Sequence, residues 1–137
     1  VLSKKTQYAF HALTYLAENI DNGPVLISEI SVERKISLKF LENILLELKK
    51  SGILGSKKGK GGGYYLIKAP EDIGLAKIIR MLDGPIALLP CVSLNYYEKC
   101  ENCQEDICGL NVVMSDVRDN TLKILESKSL KDVLRER

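Results

Sequence analysis

The run Gly59-Lys60-Gly61-Gly62-Gly63 constrains this chain more than any other segment. Four glycines in five residues neither continue a helix nor fill a strand interior, so the backbone must turn there. The flanking runs Ile53-Leu54-Gly55-Ser56-Lys57-Lys58 and Tyr64-Tyr65-Leu66-Ile67 predict the two arms of a hairpin. Two helix signatures precede it. Ser28 is the expected cap of a short helix running to Lys35, Ile36 a buried turn residue, and Ser37 the cap of a longer helix with Leu38, Leu41, Leu45 and Leu48 inward. Gly52, just beyond Lys49 and Lys50, ends that helix with cations at its negative end. Helix, tight turn, helix and basic hairpin is the order of a winged helix-turn-helix.

The rest of the chain is read around this core. Ser3 caps a first helix with Tyr8, Ala9, Ala12, Leu13, Leu16, Ala17 and Ile20 on one face, and Asp21-Asn22-Gly23-Pro24 stops it. Pro70-Glu71-Asp72 opens a fourth helix that buries Leu75, Ile78, Ile79 and Leu82 and ends at Gly84-Pro85. Residues 86–109 show no period. A long helix runs from about Leu110 to Ser127, with Leu110, Val113, Val117, Thr121 and Ile124 along one stripe, and Leu130, Val133 and Leu134 form a last short turn. That stripe is too apolar for one small domain to cover comfortably, so a two-fold partner is its natural cover; packing against the first helix is the alternative. The expected fold class is mainly α with a small β-hairpin. It divides into a winged helix-turn-helix DNA-binding domain over 1–85, a cysteine-containing sensor loop over 86–109, and a dimerisation helix and tail over 110–137.

Composition narrows the function. With 137 residues, 45% hydrophobic and 28% charged, the chain is of ordinary globular make-up, neither disordered nor collagenous. It has no apolar stretch of the ~18–20 residues that a membrane helix needs. The charged opening Val1-Leu2-Ser3-Lys4-Lys5 lacks a signal peptide's apolar core, so a cytoplasmic protein without a membrane partner is expected. The single histidine, His11, lies on a helix flank and argues against histidine-based zinc sites or catalysis. The glycine run leads into a strand rather than a helix, which excludes a nucleotide phosphate loop. No nucleophile elbow or thioredoxin-type βαβ unit is present, so an enzyme is not expected.

Charge points to a polyanion. Residues 1–68 carry 11 Lys and Arg against 6 acids, whereas residues 69–137 carry 9 against 12. Lys49, Lys50, Lys57, Lys58 and Lys60 fall within twelve residues free of acid. Such a patch attracts double-stranded DNA by counterion release, although a charge run also serves as a plain solvated surface. In the helix-turn-helix, Ser28, Ser37, Lys39, Phe40 and Asn43 are candidates for base or phosphate contact. Asn pairs with adenine and Phe meets a thymine methyl, with core packing the alternative for Phe40. At the wing, Lys57, Lys58 and Lys60 supply cations, while Gly61 and Gly62 let backbone approach the duplex closely.

These features together resemble the Rrf-two family of winged-helix bacterial transcription regulators. The resemblance rests on Gln7-Tyr8-Ala9, on Ile36-Ser37-Leu38-Lys39-Phe40-Leu41-Glu42, on the wing Lys58-Gly59-Lys60-Gly61-Gly62-Gly63-Tyr64, and on Leu82-Asp83-Gly84-Pro85. It implies a homodimer held by the long C-terminal helix on a dyad-symmetric DNA operator, with Lys58 as a minor-groove contact.

All four cysteines fall in one segment, Cys91-x8-Cys100-x2-Cys103-x4-Cys108. In a chain expected to stay in the cytoplasm, such a cluster points to metal binding or redox sensing rather than to disulfides. Four thiolates suit an iron–sulfur cluster, [2Fe–2S] or [4Fe–4S], and equally a tetrahedral zinc; a metal-free thiol switch is the third reading, and a metal or cluster carrier that leaves DNA alone is a fourth. The resemblance favours the cluster, since the family's sensor branch carries three cysteines in this loop. This chain departs from that branch in having a fourth, either Cys100 or Cys103, and in placing Asn111 and Gln7 where other members have a histidine or an acid as the outside ligand.

Overall fold

The computed structural model describes residues 1–94, 97–99 and 108–134. By packing, the chain forms two compact units, one of residues 1–73 together with the tail from Ser129, the other Gly74–Lys128.

The first unit opens with α1 (Lys4–Glu18), capped as expected: Ser3 Oγ accepts the N–H of Thr6 at 3.2 Å. Its inner face buries Ala9, Ala12, Leu13, Leu16 and Ala17. Ile20, expected on that face, is instead 47% exposed, because α1 ends before it and a separate 3-10 turn takes over at Ile20–Asn22. α2 (Ile27–Arg34) begins without a side-chain cap: Leu26 holds the cap position, and Ser28 sits exposed in the first turn. The cause is non-local. Val25 pairs antiparallel with Tyr64 through two 2.8 Å backbone bonds, which anchors the chain just ahead of the helix.

Between α2 and α3 (Leu38–Lys50), Lys35 adopts the left-handed conformation with φ 54°. The turn is held by Ser31, whose carbonyl accepts from the N–H of Ile36 at 3.1 Å and whose hydroxyl donates to the Ile36 carbonyl at 2.6 Å. Ile36 itself is 2% exposed. Ser37 caps α3, accepting from the N–H of Phe40 at 3.3 Å. Leu41, Ile44, Leu45 and Leu48 are fully buried, whereas Leu38 is 44% exposed rather than inward. Gly52, at φ 81°, closes the helix: its N–H donates to Lys49 and that of Ile53 to Leu48, both at 3.1 Å, the paired pattern of a left-handed C-terminal cap.

The hairpin comes next. β1 (Leu54–Lys57) and β2 (Gly63–Leu66) run antiparallel in the register Leu54 to Leu66, Gly55 to Tyr65, Ser56 to Tyr64 and Lys57 to Gly63. Leu54 and Leu66 face the core. At Gly63 a side chain would collide with the Val25 carbonyl, so the wing closes onto the α2 approach only because glycine stands there.

Pro70–Asp72 is a 3-10 turn of its own and not the start of the fourth helix. Buried Ile73 is extended at φ −101°, and its carbonyl accepts from the N–H of Leu130 at 2.8 Å, which separates the turn from the helix that begins at Leu75. Leu130, in the tail's 3-10 turn Leu130–Val133, is fully buried in the first unit.

The second unit holds α4 (Leu75–Asp83) and α5 (Gly109–Ser127). Leu75, Ala76, Ile78 and Ile79 are buried and Leu82 only half-buried. The pair is tied by the Leu75 N–H to the Lys128 carbonyl at 3.1 Å and by Arg80 to Glu126 at 3.2 Å. α5 buries Leu122, while Leu110, Val113, Val117 and Ile124 of the expected stripe are 55%, 54%, 38% and 60% exposed.

Candidate nucleic-acid interface

Within the first unit, α3 and the wing carry the charge. α3 has one buried stripe, and what remains is a mainly polar arc broken by Leu38 and Leu46. Lys39, Glu42, Asn43, Leu46, Lys49 and Lys50 are exposed, as is the cap Ser37. At the wing, Lys57, Lys58 and Lys60 are exposed too. The ion pairs of this unit join Lys5 to Glu47 at 2.6 Å and Arg34 to Glu18 at 3.0 Å. Among the described residues, none engages Lys39, Lys57, Lys58 or Lys60. Cations that are exposed and unneutralised by their own protein are the ones that gain most from displacing counterions on a duplex.

The candidates differ in placement. Ser37, Lys39 and Asn43 stand in the first turns of α3, where backbone N–H groups and the positive dipole end also lie. Phe40 is half-buried, its ring edge-on to Tyr8 of α1 at 5.6 Å and 83°. Lys49 and Lys50 are roughly 18 Å from Ser37 along the axis, at the negative end of the helix dipole. Ser28 is exposed on α2. Gly61 is exposed with φ 75°, whereas Gly62 is buried and packs against the Lys57 carbonyl within the wing's own turn. Sequence reasoning missed Leu38, exposed beside Ser37. The missed signal is that Leu41, Ile44, Leu45 and Leu48 already fill an i, i+3, i+4, i+7 stripe, which leaves Leu38 surplus to the core.

α1 and α2 are braced against each other. The Tyr15 hydroxyl donates to Glu29 at 2.7 Å, and the Arg34 guanidinium lies 5.4 Å from the Tyr15 ring centre. Partial burial, then the bond to Glu29 and the charges of Glu29 and Glu33, push the Tyr15 phenol up to about 12, with Arg34 opposing. His11 is exposed on α1.

Two of the cysteines, Cys91 and Cys108, are described in the second unit. Cys91 sits in the 3-10 turn Pro90–Val92, half-buried, and its sulfur accepts from Asn111 Nδ2 of α5 at 3.5 Å. Cys108 occupies the cap position of α5 and is also half-buried. Cys100 and Cys103 lie outside the described residues. Arg118 turns inward: its Nη1 donates to the Val92 carbonyl at 2.8 Å, and it pairs with Asp119. Asn111, Arg118 and Leu122, spaced by seven and then four residues, share the face of α5 turned toward the turn and α4.

Comparison with known proteins identifies the architecture. The family described as Rrf2, iron-dependent transcriptional regulator, matches residues 2–136. The chain belongs to the Rrf2 family. It is therefore a transcriptional regulator and not an enzyme. An HTH-type transcriptional regulator of Rhodobacter capsulatus described as rrf2-like is 38% identical, over 98% of this chain and 92% of the relative. The HTH-type transcriptional regulator IscR of Photorhabdus laumondii is 32% identical over 97% of this chain and 78% of its own length. Among solved structures, CymR (YrzC), the global cysteine regulator of B. subtilis, superposes with a TM-score of 0.80 at 27% identity over 97% of this chain and 95% of that one. IscR of T. potens gives 0.76 at 28% identity over 96% and 84%. The expected mainly helical fold with its hairpin is thus the Rrf2 winged-helix fold. No helix among the described residues is long and apolar enough to cross a membrane.

Proposed function

We propose that this Rrf2-family regulator binds a dyad-symmetric DNA operator as a homodimer and that its cysteine segment holds a metal centre, an iron–sulfur cluster, whose occupancy sets operator affinity. The observation that carries the DNA reading is the set of exposed cations, Lys39 in the first turn of α3 and Lys57, Lys58 and Lys60 at the wing, unpaired among the described residues. Ser37, Lys39 and Asn43 address the major groove, and the wing lysines address phosphate or the minor groove. Lys49 and Lys50 serve chiefly as the helix's C-terminal cations. The exposed stripe Leu110, Val113, Val117 and Ile124 on α5 supports the two-fold partner, because an apolar row running most of the length of a helix gains most from a copy of itself.

Chemistry of the donors fits a thiolate-held centre. Cys91 accepts an amide hydrogen bond from Asn111, the kind of contact that orients ligand sulfurs and tunes a cluster. Cys108 lies at the positive end of the α5 dipole, which favours the negative charge of a ligand set. With Cys100 and Cys103, they would hold the cluster; it would supply an occupancy and charge state responsive to redox chemistry. This chain's own residues relay that state: Asn111 ties Cys91, and Arg118 ties Val92, to the helix bearing the dimer stripe. Zinc in the same thiolates is the second reading, supported by the even match of four thiols to a tetrahedral site.

Anaerobic purification followed by an absorbance spectrum and iron, sulfide and zinc analysis separates the two metals. Operator affinity measured for apo and reconstituted protein then tests linkage, with about 5–150-fold expected. Equal affinities would reject cluster-linked control.

A further inference from the structure

The first turn of α3 exposes one apolar side chain beside the polar and charged groups Ser37, Lys39, Glu42 and Asn43. Leu38 is 44% exposed, immediately after the cap Ser37 and beside Lys39. The core does not need it, since Leu41, Ile44, Leu45 and Leu48 fill the inner stripe, each with no exposed surface. Phe40, the other apolar group of this turn, is committed to Tyr8 through its edge-on contact. Leu38 is thus the apolar group free to meet a ligand at the end of α3 where the helix dipole and Lys39 draw in DNA.

In the major groove of B-DNA, the apolar feature that a leucine can meet is the C5-methyl of thymine; every other base edge presents hydrogen-bonding groups. We infer that Leu38 is a specificity-determining residue, packing its isobutyl group on a thymine methyl in each operator half-site. The inference rests on the reading of α3 as the groove-entering helix. Burying one methyl corresponds to about a fourfold change in affinity, and about fifteenfold when both half-sites of a symmetric operator are altered.

The test uses the full chain and the duplex it selects from a random pool. Each thymine of the selected operator is replaced, symmetrically, by deoxyuridine, which removes the methyl and nothing else, and affinity is read by fluorescence anisotropy at fixed salt. One thymine per half-site should give about a fifteenfold loss. Leu38→Ala should bind the unmodified operator with a similar loss and be indifferent to that deoxyuridine, while Leu38→Met restores the sensitivity. Because Leu38 is half exposed, unchanged circular dichroism verifies that Leu38→Ala is folded. Methyl dependence that persists in Leu38→Ala, or that disappears instead in Leu46→Ala two turns further along, would overturn the assignment. An operator with no methyl-sensitive thymine would do the same. Failure to select any duplex would remove the DNA-binding reading and this assignment with it, whereas a selected operator lacking a Leu38-dependent thymine removes the assignment alone.

Discussion

Lys58→Gln offers a quantitative probe of how the wing meets DNA. Lys58 is exposed, precedes the turn at Gly59, and has no ion-pair partner among the described residues. Its removal therefore costs the fold little, as is usual for a solvated surface cation. On the duplex the effect is different. Each neutralised phosphate contributes about 0.9 to the slope of log affinity against log salt. A homodimer presents the residue twice, so the slope should fall by about 1.8. Over a rise from about 50 to 200 mM salt, that is about twelvefold less affinity lost by the variant than by the parent. Anisotropy titrations of a labelled operator across that range give the slope directly, and Lys77→Gln, an exposed lysine of α4 in the other unit, is the control. A decrease near 0.9 would mean that one wing of the pair touches DNA. An unchanged slope, with Lys57→Gln and Lys60→Gln equally silent, would refute the placement of the wing on phosphate.

Three further outcomes are expected. Val117→Asp, which puts a carboxylate in the exposed stripe of α5, should convert the protein to a monomer by analytical ultracentrifugation while its helical circular dichroism signal persists; a dimer of unchanged affinity would discount the stripe. Leu130→Ala should lower unfolding free energy by about 2–5 kcal/mol in urea titrations, as for other fully buried leucines, even though the residue is only a few positions from the end of the described chain. The Tyr15 phenol, held up at about 12 against an ordinary 10, favours its neutral form in the folded state. Its contribution is therefore fully present below pH 10 and lost as pH rises through about 12, so Tyr15→Phe should flatten the fall of the urea midpoint across that window.

Much of this architecture was legible in local chemistry. Ser3 and Ser37 cap as their positions suggest, Gly52 ends α3, and the glycine run closes a hairpin between the expected arms. The features that could not be read depend on residues far away in sequence. Periodicity assigns residues to a shared face but not the rotation at which that face meets the core. Leu38 and Phe40 therefore exchange roles once Tyr8, more than thirty positions earlier, covers the phenyl ring. Ser28 loses its capping role because Val25 is claimed by Tyr64 across the wing. Pro70-Glu71-Asp72 carries a good helix-start signal, yet Ile73 is drawn into extended pairing with Leu130 from the chain's far end. Of the DNA-facing candidates, the exposed lysines follow from charge alone, while the burial of Gly62 behind the Lys57 carbonyl needed the folded turn.

Two backbone bonds bring distant parts of the chain together, Leu130 to Ile73 within the first unit and Leu75 to Lys128 within the second. Along the chain the second unit is therefore an insertion, after which the tail from Ser129 rejoins the first. A gene cut after α4 would thus cost the first unit a fully buried side chain, Leu130, that its own stretch of sequence up to Ile73 does not encode.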